Sequence, residues 1–213
     1  MPTTTTPFCT DVDLLNWEPN IFRDAPFASQ TLLAGTGTLS GTEFTIGTGS
    51  FEDAGIDANH VIVLGGDADG CFPIASVDAT QAITVRVMNE GPENRAPNAT
   101  GSLPFVVRTF WPQRMIVSEL IAQAAGVGAS TDNASATILN PEVLSRACAL
   151  GTLQMIYSAL AAAAEVAGGG NRAALSARFS RRGWRGARAA VDLAGDGRAD
   201  AHRMLNVLNF QRA

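Results

Sequence analysis

The densest chemistry in the chain lies in Asp192–Arg203, DLAGDGRADAHR, where three aspartates recur at four-residue spacing around a Gly-Asp-Gly turn. Carboxylates at such intervals, with a glycine for the sharp bend, are how a twelve-residue calcium loop gathers its oxygens. With Asp192 at position 1, Asp196 falls at position 5, Gly197 at 6 and Asp200 at 9, and all of these suit the loop. Position 3 is Ala194, which has no side-chain oxygen, and position 12 is Arg203, a cation where a bidentate carboxylate belongs. A capped turn is therefore expected. Asp192, Asp196 and Asp200 stay as weak metal candidates only, and no cofactor is expected.

A second feature precedes it. Between Glu165 and Asp192 stand six arginines, Arg172, Arg178, Arg181, Arg182, Arg185 and Arg188, and no acid. Such a band can lie along a phosphate backbone or dock on an acidic protein surface. A merely solvated face would interleave acids to relieve self-repulsion. Phe179 and Trp184 are the band's only aromatic residues, too few for base stacking, so sequence-specific reading of nucleic acid is not expected.

Catalytic constellations are sparse. Of the two histidines, His60 precedes the run Val61–Leu64 and reads as a strand start, while His202 sits beside Arg203. No G-x-S-x-G, HExxH, Walker loop or G-x-G-x-x-G entering a helix occurs. The pairs Glu52-Asp53 and Asp67-Asp69 fall in turn-like stretches. No catalytic residue is assigned, and the expectation is a non-enzymatic protein. Cys9, Cys71 and Cys148 are far apart and odd in number, which reads as buried free thiols rather than a disulfide framework or zinc site.

The elements that would carry these features follow from composition and pattern. The 213 residues, 46% hydrophobic and 16% charged, suffice for one large or two small folded domains. Residues 1–140 hold 5 arginines against 15 acids, residues 141–213 hold 10 against 5, and there is no lysine. That split predicts two modules facing different neighbours. Met1–Thr10 lacks the basic start and apolar run of a signal peptide, and Leu153–Ala167 is alanine-rich and interrupted by Gln154 and Glu165. A soluble chain without a membrane partner is expected.

Residues 1–30 read as an arm with aromatic and aliphatic anchors at Leu14, Leu15, Trp17, Ile21, Phe22 and Phe27. Over 31–110 the runs TLLAGTGTLSG, TEFTIGTG, HVIVLGG, FPIASVD, AITVRVM and FVVRTF predict short antiparallel strands in a sandwich or barrel. FEDAGI (51–56) predicts a single turn between strands, and 89–101 an exposed loop. Over 111–192 an antiparallel helical bundle of about three helices is expected, giving an α+β chain. Its first helix presents Ile116, Val117, Leu120, Ile121 and Ala124. The second opens at Asn140-Pro141-Glu142 with Asn140 as cap, and should be the most buried. The third runs from Asn171 with Leu175, Phe179, Gly183, Ala187 and Val191 repeating every four residues. Residues 193–213 read as a turn and a short tail, too small to fold alone.

This order of parts, DLLNWEPNIFRDA, then EFTI, FEDAGI, HVIVL, FPIASVD and ITV, then FWPQRMIVSELI, an alanine-rich helix after LNPE, an arginine-rich helix and D-x-x-GDG-x-AD before a tail, resembles the head–tail connector (adaptor, or head-completion) proteins of tailed bacteriophages. The resemblance implies a virion structural protein assembled in the bacterial cytoplasm. It would form a ring, generally of twelve copies, between the portal and a tail or neck protein, with double-stranded DNA passing through the lumen. The helical bundle would be the ring body, and Met204, Leu205, Val207, Leu208 and Phe210 would dock on the portal. The arginine-rich helix would line a subunit or portal interface, and the strand-rich module would project outward or tailward. Two other readings stay open: a nucleic-acid-binding module using the arginine band, and a calcium-dependent surface or adhesion protein using the Asp-rich turn.

Overall fold

The computed structural model describes residues 6–88, 95–99, 101–127, 137–166 and 187–205. The chain divides into two compact units, one of residues 14–110 and one of residues 1–13 with 111–213.

In the first unit the six predicted runs become six strands: β1 (Thr31–Ser40), β2 (Glu43–Ile46), β3 (Val61–Leu64), β4 (Gly70–Ala79), β5 (Ala82–Val85) and β6 (Gly101–Arg108). Before them come helices α1 (Asp11–Trp17), which begins in the other unit, and α2 (Ile21–Asp24). Every neighbouring pair is antiparallel, and the order β1-β2-β5-β4-β3-β6 closes when β6 pairs with β1. Closure leaves no unpaired edge in this sheet. The period of two puts Leu103, Phe105 and Val107 of β6 inside, with Ser102 and Pro104 between them outside.

The barrel is filled rather than hollow. Phe44 and Phe105 meet edge to face at 5.2 Å, and Phe51 lies 6.2 Å from Phe105. The threonine-glycine run makes room for these rings. A Cβ on Gly37 would stand 2.4 Å from the Phe44 ring and 2.6 Å from the Thr45 carbonyl, so only glycine lets the strand pass. FEDAGI is a turn, as expected. Ser50 Oγ accepts the Asp53 N–H at 2.9 Å, Gly55 ends the turn at φ 66°, and Phe51 and Ile56 are buried in the barrel core. Of the expected anchors, Leu14, Leu15, Ile21 and Phe22 are buried, while Trp17 stays 44% exposed. Phe22 packs on Phe110 at 4.8 Å, and Arg108 donates to the Phe22 carbonyl at 2.7 Å. His60 precedes β3, its Nδ1 2.6 Å from Asp57 Oδ1.

The second unit contains α3 (Trp111–Ala124), α4 (Pro141–Val166) and an antiparallel sheet of β7 (Thr137–Ile138), β8 (Arg188–Asp192) and β9 (Ala201–Met204) in the order β7-β8-β9. Helices α3 and α4 pack together, and α4 packs on β8. Of the helical bundle expected over 111–192, these two helices are described, and residues 167–186 lie outside the described residues. The far end of the expected third helix is corrected: Ala187 precedes a strand, and Val191 lies within it. The reason is local pairing. Asn140, expected as a helix cap, instead holds β8 with its amide, accepting the Ala190 N–H at 2.7 Å and donating to the Arg188 carbonyl at 2.9 Å. The tail is corrected too, because Ala201–Met204 pairs with β8 and Leu205 N–H donates to the Ala187 carbonyl at 3.0 Å.

The buried face of α3 is also turned from the expected one. Arg114, Val117, Ser118, Ile121 and Ala122 point inward, and Ile116 is 46% exposed. Counting only apolar residues missed that two polar ones face the interior. Helix α4 is buried almost all round from Ala147 to Leu153, as expected of a central helix. By length and composition its span Pro141–Ala161 is long and apolar enough to cross a bilayer, and 61% of that window is packed inside the protein.

Candidate functional site

The most polar part of the interior joins the start of the chain to α3 and α4. Thr10 caps α1: its hydroxyl accepts the Asp13 N–H at 3.1 Å, and Asp13 Oδ2 accepts the Thr10 N–H at 2.7 Å, a reciprocal capping box. Asp11, at the first position of the helix, is turned inward, where it is 0% exposed. There it meets Arg114 in a two-pronged ion pair, Nε to Oδ1 at 3.1 Å and Nη2 to Oδ2 at 3.2 Å. Arg114 Nη1 also donates to the Cys9 carbonyl at 2.9 Å. A buried pair of this kind repays its desolvation only when its remaining donors and acceptors find partners. Arg114 Nη1 meets that need by gripping the backbone of the N-terminal segment.

One turn further along α3, Ser118 Oγ accepts the Phe8 N–H at 3.0 Å and lies 3.3 Å from Cys148 Sγ on α4. The Cys9 thiol points at Cys148, with sulfurs 2.7 Å apart. Because Cys9 donates to Cys148 and is buried, its thiol is pushed up and keeps its proton. Burial alone would push Cys148 up as well, but the donors Cys9 and Ser118 outweigh it, and Cys148 falls below the ordinary thiol value. Cys148 is therefore the sulfur that ionises first. Cys71 lies in β4, apart from this pair, and burial raises it to about 11.

None of this cluster was assigned from the sequence. The free-thiol reading holds for the state described, but the partners lie 103 and 139 residues apart in the chain, beyond any local motif. One signal was legible: Arg114 and Ser118, four apart, share a face with Val117 and Ile121.

The Asp-rich turn joins β8 to β9, and its carboxylates are spent on backbone. Asp192 Oδ1 accepts from Gly195 N–H at 2.6 Å and Asp196 N–H at 3.3 Å, and its Oδ2 accepts from Gly197 N–H at 2.7 Å. Asp200 Oδ2 accepts from Leu193 at 2.8 Å and Ala194 at 3.0 Å, and Asp196 Oδ1 from Arg198 at 2.9 Å. Gly195 and Gly197 sit at φ 74° and 80°, where other residues are strained. Burial by itself raises the Asp192 carboxyl, but the N–H groups of Gly197, Gly195, Asp196 and Ala194 outweigh it and hold the group below its ordinary value. These oxygens aim at N–H donors of one turn, whereas a calcium cage aims them at a common point. Among the described residues no three His, Cys, Asp or Glu side chains come together in a way that could hold a metal.

The remaining predicted residues divide. Arg188 is exposed on β8, while Arg172, Arg178, Arg181, Arg182 and Arg185 lie outside the described residues. Met204 is 52% exposed, but Leu205 is 1% exposed and belongs to its own unit's interior rather than to a free docking tail. Val207, Leu208 and Phe210 lie outside the described residues. No protein-family model, no curated protein and no solved structure matches the chain.

Proposed function

We propose that the chain is a non-enzymatic structural protein of the phage neck, forming a ring, generally of twelve copies, that links the portal to the tail and lets DNA through its lumen. The observation that carries this reading is where the large apolar side chains are left exposed. Trp111 (50%), Ile116 (46%), Leu139 (40%), Val143 (50%) and Met204 (52%) all belong to the helical unit, against Trp17 and Met88 in the barrel unit among the described residues. Apolar surface left on a folded unit is stabilised when another copy or partner covers it. The order of parts along the sequence points the same way. Charge supports the arrangement: residues 14–110 hold eleven acids and four arginines, and the arginine band lies in the other unit. Opposite charge on two modules favours one order of neighbours over others.

In this reading the helical unit is the ring body, Met204, Val207, Leu208 and Phe210 meet the portal without the buried Leu205, and the barrel projects toward the tail. The test is electron microscopy of the full chain mixed with the portal protein of the same phage. A ring seated coaxially on the portal is the expected result. Portal particles that stay bare at saturating protein would refute the assignment.

A further inference from the structure

The thiol pair is the strongest group in the molecule that the proposed function leaves unused. Cys9 lies at a bend just before α1, and Cys148 in the N-terminal part of α4. Both are buried, and their sulfurs stand 2.7 Å apart, inside the separation at which two non-bonded sulfurs rest and short of a covalent bond. The surroundings fix both sides. Ser118 holds the Phe8 N–H and lies against Cys148, while Arg114 holds the Cys9 carbonyl. Little movement separates the two thiols from a bond.

We infer that Cys9 and Cys148 are a redox latch, closing to an intramolecular disulfide that ties the N-terminal segment to α4 when the protein meets an oxidising medium. The oxidant class is a low-molecular-weight disulfide, RSSR. A transient opening that breaks the Phe8–Ser118 and Cys9–Arg114 hydrogen bonds admits it, and the Cys148 thiolate attacks one of its sulfurs, expelling RS⁻. The Cys9 sulfur then gives up its proton and attacks the Cys148 sulfur of the mixed disulfide, expelling the second RS⁻. The protein loses two electrons and two protons, and two RSH leave. In a reducing cytoplasm the pair stays open as thiols, and outside it the bond forms. The latch closes a long loop, which is where a cross-link restricts the unfolded chain most.

The test uses the full chain, reduced with dithiothreitol or incubated with oxidised glutathione, then denatured and alkylated with N-ethylmaleimide. The reduced protein should take three alkyl groups, one per cysteine. The oxidised protein should take one, on Cys71, with a Cys9–Cys148 cross-linked peptide and a melting temperature higher by about 5–15 °C. A Cys71→Ser chain should take none after oxidation, and a Cys9→Ser chain should keep both of its thiols. Three alkylated cysteines in the oxidised wild type, a bridge that includes Cys71, or a stable glutathione adduct in place of the bridge would overturn the latch. The wild-type count needs no substitution, so a variant that fails to fold does not blunt it.

Discussion

In the barrel unit the cluster from Leu39 to Val107 is apolar, and the one buried polar residue among those described, Thr109, lies past the end of β6. The helical unit instead buries Asp11, Arg114, Ser118, Thr152 and Asp192 among its leucines and alanines. The barrel's order comes from alternation along contiguous strands, all within residues 31–108. The helical unit's order comes from polar partners matched across the chain: Asp11 to Arg114, Phe8 to Ser118, Asn140 to β8. An apolar interior tolerates exchange of similar volumes. A polar one tolerates loss of neither partner, because the group left behind is buried and unpaired.

Breaking each interior in its own way should bring out this contrast. Phe44→Ala should cost the barrel about 3–5 kcal/mol, since it removes a fully buried ring that Gly37 exists to admit. Urea melts would read that loss. Arg114→Leu should cost about 3–5 kcal/mol by taking the countercharge from the buried Asp11 carboxylate. Adding Asp11→Leu should return most of it, and a double variant as unstable as the single one would show that the pair is not what orders the segment. Gly37→Ala should follow at about 1–3 kcal/mol, because the new methyl would meet the Thr45 carbonyl, which is backbone and gives little way. Gly35→Ala should cost less, as its nearest neighbour is the Phe105 ring edge at 3.3 Å.

The smallest effect is set by pH. The Asp192 carboxyl is held down in the folded state, so the stability it adds is present above the ordinary value of 3.8 and is lost as pH falls through its lower folded value. Thermal melts between neutral and acid pH should therefore show wild type losing stability relative to Asp192→Asn, the gap narrowing as the acid limit is approached.

The same contrast explains what could be read from the sequence. Six strands and the turn at 51–56 were legible because β-branched runs and glycine turns state their structure locally. Helices α3 and α4 were legible from their proline starts and spacing. The inward face of α3 was not, since its stripe includes Arg114 and Ser118, whose burial depends on a segment a hundred residues away. The strand β8 was hidden because RAAVD continues a four-residue repeat that reads as helix until Asn140 is placed beside it. In the Asp-rich turn the aspartates were found and the glycine bend was right, but the strands on either side were not foreseen.

The central claim is that the helical unit, and not the barrel, carries assembly, and binding of the full chain to immobilised portal protein tests it most directly. Ile116→Glu with Val143→Glu places charge on exposed positions of α3 and α4, where substitution should change stability by no more than about 0.5 kcal/mol. Thr36→Glu with Ser102→Glu does the same at exposed positions of the barrel strands β1 and β6. The account predicts that the helical pair abolishes binding while the barrel pair leaves it within a few-fold of wild type. Portal binding that survives the helical pair and is lost with the barrel pair would contradict it.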